Sequence, residues 1–183
     1  KMMHVFDVMH IEGQRMRRLI DQLLTLARMD REEEPRDERV LMSSMVESLR
    51  DEFAFRLDPP DVHVAIEDDA AISANADELY EALYNVLDNA VKYGAGAPID
   101  VILQRTGGDI AIVIQDRGPG IPPGERERIF DRFYRGESSE GLEGTGLGMT
   151  IARRGIERAR GTISIESMEP HGTRVVAAFP ITL

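Results

Sequence analysis

Apolar residues recur every seven positions at the head of the chain, at Met2, Met9, Met16 and Leu23. A second row of Phe6, Ile20 and Ala27 runs beside them, interrupted by Gly13. Val5, Leu19 and Leu26 widen the stripe, while Arg15, Arg17, Arg18, Asp21 and Gln22 fall mostly on other faces. This spacing predicts one long amphipathic helix over residues 1–30, of the kind that packs side by side with other helices. A stripe this wide needs more than one partner helix, and no other segment of the chain resembles one. Either the partners lie outside this sequence or the helix folds back on the rest of the chain. Because residue 1 is Lys and the helix opens without a cap, the expectation is a piece of a longer protein.

From residue 31 the pattern changes. Arg31-Glu-Glu-Glu-Pro-Arg-Asp-Glu38 is charged and broken by proline, which predicts a linker over 31–38 and a domain over 39–183. Val40 to Met42 reads as a short strand, and Ser44 with Glu47 has capping-box spacing for a helix to about Leu57. Val62, Val64 and Ile66 alternate with polar residues as a half-buried strand does. Asp77 is placed to cap a helix running through Tyr93, with Gly94 and Gly96 closing it. Two strands, near 98–105 and 109–115, flank the hairpin turn Thr106-Gly-Gly108. A Gly- and Pro-rich stretch from Arg117 to Thr145 holds one short helical piece. A helix from about Leu147 to Ala159 comes next, then strands near 161–168 and 173–179. The pattern predicts an α+β fold, a two-layer α/β sandwich whose mostly antiparallel sheet packs against helices, preceded by one long bundle-forming helix. Loops as long as 117–145 are uncommon and usually functional.

Composition bounds the function. With 183 residues, 42% hydrophobic and 30% charged, the chain is one ordinary domain, or one domain with a short appendage, and has enough apolar material for a core. The 22 basic and 33 acidic side chains give a net charge of −11, which argues against nucleic acid and anionic membrane surfaces as partners. Cysteine is absent, which excludes disulfide scaffolds, thiolate metal sites and cysteine nucleophiles. No apolar run approaches the roughly 20 residues of a membrane span, so no direct membrane contact is expected of this segment. At first sight the acidity also disfavours an anion such as ATP. The charge is unevenly spread, however: residues 116–174 carry 10 basic and 10 acidic side chains, so all of the excess lies before Asp116. Lys1 and Lys92 are the only lysines.

Four strings carry chemistry. In Asn85-Val-Leu-Asp-Asn89-Ala-Val-Lys92-Tyr93, Asn85, Asn89 and Lys92 stand at i, i+4 and i+7 and project from one helix face. Two amide oxygens and an ammonium suit a Mg²⁺–polyphosphate, because Mg²⁺ prefers hard oxygen ligands and is often held together with phosphates. Taken alone, such a row is also what a solvated helix face looks like. In Asp116-Arg-Gly118-Pro-Gly120-Ile121, a carboxylate at a strand end could accept from an exocyclic amine such as that of adenine, while the glycines let backbone approach the ring. In Ile129-Phe130-Asp-Arg132-Phe133-Tyr-Arg135, the two phenylalanines can pin a short loop helix. Gly144-Thr145-Gly146-Leu147-Gly148 opens a helix and exposes backbone N–H groups to a phosphate. The dinucleotide fingerprint is set aside, since residue 151 is Ile, and no P-loop occurs.

Together and in this order the four strings resemble the N, G1, F and G2 boxes of sensor histidine kinases, whose catalytic ATP-binding domain has the Bergerat fold also found in gyrase. The likeness covers about residues 37–183. It implies that Asn89 coordinates Mg²⁺, that Asn85 supports metal and phosphates, and that Lys92 and Tyr93 contact the nucleotide. It also implies that Asp116 recognises the adenine amine, that Gly118 and Gly120 line the base, and that Gly144, Thr145, Gly146, Leu147 and Gly148 meet the phosphates. Residues from Ile121 to about Glu143 would form a mobile ATP lid. In hydrolysing members of the superfamily a Glu four residues before the metal-binding Asn activates water; here that place is Asn85, which is no base near neutral pH. The helix at 1–30 resembles the second helix of the dimerisation and phosphoacceptor hairpin, which implies a homodimer. The wider resemblance implies a response regulator as partner and a cytoplasmic location within a membrane-anchored sensor.

The acceptor box of the family is a His followed by an acidic residue, a hydrophobic residue and Arg. His4 precedes Val-Phe-Asp and His10 precedes Ile-Glu-Gly, so neither matches, and no role is assigned to His63 or His171. Arg132 and Arg135 could reach phosphates from the lid, or they could pair with Glu125, Glu127 and Asp131 on a solvated surface. Two other functions fit parts of the pattern. One is a Bergerat-fold serine kinase that inhibits a transcription factor, against which the heptad rows speak. The other is a dimerisation scaffold with a degenerate pocket, against which the intact Asn89, Asp116 and glycines speak.

Overall fold

The computed structural model describes residues 2–31, 37–136, 144–168 and 170–182, leaving aside the side chains of residues 2–8 and Ile11. The chain divides into two compact units, residues 1–32 and 33–183. The first is a single helix, α1 (Met2–Met29). Along it Met9, Met16, Ile20, Leu23 and Leu24 are exposed, so the heptad row from Met9 onward faces solvent. The start of that row, Met2 with Val5 and Phe6, and His4 beside it, lie outside the described side chains. Residues 32–36 of the expected linker lie outside the described residues as well.

The second unit opens with β1 (Glu38–Leu41), two residues ahead of the expected strand. It pairs antiparallel with β3 (Ala71–Ala74) in a two-stranded sheet. The sequence pattern does not announce β3: Ala71, Ile72 and Ala74 are all buried, so the strand lacks polar alternation. Helix α2 (Met42–Ala54) begins two residues before Ser44, so the expected capping box is not its start. Its cap is tertiary instead. Asp69 Oδ1 accepts from the Ser43 N–H at 3.0 Å and the Ala70 carbonyl from the Met42 N–H at 3.0 Å, both from the connection between β2 (Val62–Ile66) and β3.

Helix α3 (Ala76–Tyr93) is capped by Asn75, whose side chain accepts from the Glu78 N–H at 3.0 Å. Asp77, the expected cap, lies in the first turn with Glu78, where carboxylates oppose the positive end of the helix dipole. Past Gly94 the chain turns through left-handed Ala95 and Gly96. Strands β4 (Ile99–Thr106) and β5 (Asp109–Gln115) form the expected hairpin, with Gly107 at φ +64° supplying the turn. Helix α4 (Gly148–Arg158), β6 (Thr162–Ser167) and β7 (Thr173–Pro180) complete the unit.

The larger sheet has the order β2-β4-β5-β7-β6, with only the β2–β4 pair parallel. This is the two-layer, mostly antiparallel α+β sandwich that the pattern predicts. The core lies between sheet and helices: Phe53, Leu79, Leu83, Leu87, Leu103, Ile112, Ile156 and Phe179 are all fully buried there. Helices α3 and α4 touch closely at Gly155, where a Cβ would stand 2.7 Å from that of Ala82, and Arg158 clasps Glu78 at 2.7 Å. The long loop carries two 3-10 turns, Pro123–Glu125 and Arg128–Phe130, where one helical piece is expected. The last part of the expected lid, residues 137–143, lies outside the described residues. Among the described residues no helix is long and apolar enough to cross a membrane.

Candidate nucleotide site

The site is laid out along α3. From Asn85 to Tyr93 the helix rises about 12 Å. At the Asn85 end it meets the glycine loop that opens α4, and at the Tyr93 end it meets the loop that leaves β5 with Asp116.

At the first end Asn85 Nδ2 donates to the Glu81 carbonyl at 2.7 Å, and its Oδ1 is turned toward Gly148, where a Cβ would lie 2.9 Å away. Helix α4 starts at Gly148 with no side-chain cap. Among the described residues no N-cap side chain accepts from its first turn, an arrangement that leaves N–H groups for a phosphate. Thr145 Oγ1 instead accepts from the Leu147 N–H at 3.3 Å, inside the loop. Gly146, at φ +73°, lies so near the Phe133 backbone that a Cβ would come within 2.7 Å of it. Leu147, expected among the ligand residues, has a fully buried side chain, so it anchors the loop and has only its backbone to offer.

At the other end Asp116 is only 5% exposed. Its Oδ1 accepts from the Gly118 N–H at 2.8 Å and the Thr173 N–H at 3.2 Å. Burial pushes its carboxyl pKa up, against the pull of those hydrogen bonds and of the Thr173 hydroxyl. Gly118 is packed on the Tyr93 carbonyl, with no room for a Cβ. Gly120, at φ +80°, lies beside the Gly172 carbonyl, 3.2 Å from where its Cβ would stand. Ile121 roots the long loop: its carbonyl accepts from Ser167 Oγ at 3.3 Å, and Arg126 Nη2 donates to that same Oγ at 2.6 Å. Thr173 is the residue that sequence reasoning misses. It heads the last strand, next to β5, and holds Asp116 through both its N–H and its hydroxyl.

The long loop closes over α4 through Phe130, which is buried under the Arg153 guanidinium at 5.2 Å from its ring centre, while its carbonyl accepts from Thr150 Oγ1 at 2.9 Å. The expectation of two pinning phenylalanines holds for one only. Phe133 is exposed, takes φ +63°, and contributes its N–H to the Gly146 carbonyl at 2.9 Å. Arg132 joins Arg153, Arg154 and Glu157 around a cavity of about 260 Å³ along α4. Arg135 is exposed further along the loop.

Asn89 is half-buried on α3, one turn before its end at Tyr93. The Lys92 ammonium pairs with Asp88. Among the described residues no group of three or more His, Asp or Glu could hold a metal ion. On this face the amides of Asn85 and Asn89 offer oxygens beside the Asp88 carboxylate, which is engaged by Lys92 and Arg56; such a set suits Mg²⁺, an ion that keeps several waters and arrives with phosphates, better than a resident metal in a carboxylate cage.

A helix bearing Asn85, Asn89 and Lys92, set between an aspartate loop and a glycine loop and backed by a mixed sheet, defines an ATPase-type nucleotide domain. Residues 74–183 match the family of histidine kinase-, DNA gyrase B-, and HSP90-like ATPases, and the chain belongs to that family. Sensor histidine kinase RppB of Synechocystis sp. is 32% identical over 179 residues, which are 93% of this chain and 39% of that protein. This chain thus spans about two fifths of that relative's length. The solved structure of the mycobacterial sensor histidine kinase MprB is 29% identical and matches with a TM-score of 0.70 over 79% of this chain and 97% of its own. Full-length ShkA, solved in complex with AMPPNP, shares the fold at 22% identity, with a TM-score of 0.78 over 93% of this chain and 37% of its own.

Proposed function

We propose that residues 39–183 are the catalytic ATP-binding domain of a sensor histidine kinase, holding Mg-ATP for transfer of its γ-phosphoryl group to a histidine outside this chain. The observation that carries the reading is that α3 brings Asn85 to Gly148, and its end at Tyr93 and Gly94 to Gly118 and Asp116. Segments far apart in sequence thereby line one path, with an adenine acceptor at one end and phosphate donors at the other. Asp116 accepts from the adenine amine, Gly118 and Gly120 flank the base, and the N–H groups around Gly144, Thr145, Gly146 and Gly148 meet the phosphates. Asn89, supported by Asn85, would hold Mg²⁺, which when bound neutralises charge on the phosphates. Lys92 faces them as a point charge, and Arg132 and Arg135 approach from the loop.

Asn85 has no basic lone pair with which to activate water. The site therefore favours a substrate held for an incoming acceptor over hydrolysis, and phosphoryl transfer is mainly positioning plus charge stabilisation. Residues 1–30 serve as the second helix of a homodimeric phosphoacceptor bundle, joined through the 31–38 linker. The phosphoryl group passes on to an aspartate of a response regulator, on the cytoplasmic side of a membrane-anchored sensor.

The test is incubation with γ-labelled Mg-ATP. This chain alone remains unlabelled, whereas a longer protein that also carries a phosphoacceptor helix acquires acid-labile label on histidine. Acid-stable phosphoserine on a partner would establish the serine-kinase reading instead, and label on His4 or His10 would contradict the placement of the acceptor.

A further inference from the structure

Lys92 is one member of a chain of three charges. Its ammonium pairs with Asp88 Oδ2, one turn back on α3. The other carboxylate oxygen, Oδ1, accepts from Arg56 Nη2 at 3.1 Å. Arg56 lies just past the end of α2 and is held from two further sides. The same Nη2 donates to the Tyr84 hydroxyl at 2.9 Å, and the guanidinium lies 3.7 Å from the ring centre of the buried Phe53. The side chains of Arg56, Asp88 and Lys92 are 29%, 20% and 34% exposed, so water screens these interactions only in part.

We propose that Arg56 is a positioning residue for nucleotide binding, acting through Asp88 to keep the charge of Lys92 available to phosphate. The proposal rests on the reading of Lys92 as the lysine that faces the polyphosphate. Asp88 and Lys92, at i and i+4, form an ion pair unaided, and such a pair alone would cancel the only lysine of the nucleotide domain. Arg56 occupies the second carboxylate oxygen, so the three groups together carry one positive charge. The two cations also differ in how firmly they are held. The planar guanidinium stacks on Phe53 and bonds Tyr84, which makes it a permanent partner for Asp88. The flexible, compact ammonium can exchange a carboxylate for a phosphate. When phosphate arrives, Arg56 retains Asp88 and Lys92 is released.

Calorimetric titration of the intact chain with Mg-AMPPNP, and with adenosine as a phosphate-free control, tests this. Lys92→Ala is expected to weaken Mg-AMPPNP by about tenfold and leave adenosine unchanged. Arg56→Gln is expected to weaken Mg-AMPPNP by about threefold to tenfold, to spare adenosine, and to lose its effect as salt is raised. Asp88→Asn added to Arg56→Gln restores the affinity to within about twofold, because the carboxylate that captures Lys92 is gone. Arg56→Lys keeps the charge but loses the stack on Phe53 and the planar fork, so it is expected to weaken Mg-AMPPNP less than Arg56→Gln does while sparing adenosine; a loss greater than that of Arg56→Gln contradicts the proposal.

If Lys92→Ala has no effect, the reading of Lys92 fails and this proposal fails with it. If Lys92→Ala weakens binding but Arg56→Gln does not, only the proposal is overturned. It is likewise overturned if Asp88→Asn brings no relief or if adenosine suffers equally, since either result makes Arg56 merely structural. Should Arg56→Gln fail to fold, Asp88→Asn alone decides: affinity is held or increased if the proposal is right, and a loss beyond about threefold contradicts it.

Discussion

Asn85 Oδ1 and Gly148 stand so close that a Cβ at residue 148 would come within 2.9 Å of the oxygen, while the Gly118 Cβ position runs into the Tyr93 carbonyl. The two obstacles differ in kind. An amide at the end of a side chain can swing away, whereas a helix carbonyl cannot. Gly148→Ala is therefore expected to change stability by less than about 1 kcal/mol yet weaken Mg-ATP by about tenfold, since Asn85 is displaced. Gly118→Ala is expected to cost about 2–3 kcal/mol of stability through forced backbone movement. Denaturant titration and calorimetry on both variants check the contrast; equal stability losses would contradict it.

Asp116 is expected to make stability and nucleotide binding respond to pH in opposite directions. Burial raises its folded pKa above the ordinary carboxylate value. Its stabilising contribution is therefore present in full below the unfolded pKa of about 4 and is lost as pH rises through the folded value. With Asp116 as the proposed adenine acceptor, binding needs its ionised form and should decline as pH falls through that same raised pKa. Asp116→Asn keeps an oxygen for the Gly118 and Thr173 N–H groups, so at neutral pH it should be at least as stable as the unaltered protein while losing adenine recognition. A melting series and fluorescent-nucleotide titrations across pH give both readouts. A variant that binds ATP normally would remove Asp116 from the site.

Phe130 and Phe133 look equivalent in sequence and are not. Phe130 is buried beneath Arg153, and Phe133 is exposed. Phe130→Ala is expected to cost about 3 kcal/mol of loop docking and to open the segment 121–136 to protease. Phe133→Ala stays within about 0.5 kcal/mol, with an unchanged cleavage pattern. Limited proteolysis with mass spectrometry separates the two.

Helix α1 exposes Met9, Met16, Ile20 and Leu23 along one seam. In the proposed homodimer a second copy covers that seam, and Met16→Glu would place a carboxylate in an apolar interface. The chain should shift from dimer to monomer in sedimentation while its nucleotide affinity stays unchanged. A dimer that persists at micromolar concentration would move the interface elsewhere.

The features legible in the sequence are the local ones. Asn85, Asn89 and Lys92 share a face because helical spacing puts them there, and Thr106-Gly-Gly108 is a hairpin turn by its own chemistry. The features that escape a reading of the sequence depend on residues far along the chain. The cap of α2 comes from Asp69, 26 positions beyond Ser43, and Asp116 is held by Thr173 across 57 positions. Strand β3 is buried at Ala71, Ile72 and Ala74 and so carries no alternation to read. In the sequence Asp88 is only the residue before Asn89. Its significance appears when Arg56, 32 positions away, reaches its second oxygen.

In the proposed site α3 holds Mg-nucleotide through Asn89. Calorimetric titration of Asn89→Ala with ATP, with Mg²⁺ and with EDTA, measures this most directly. The unaltered chain should bind far more tightly with Mg²⁺ than without it, and the variant should lose that difference while retaining weak, metal-independent binding through Asp116. An Asn89→Ala chain that binds Mg-ATP as tightly as the original would contradict the site.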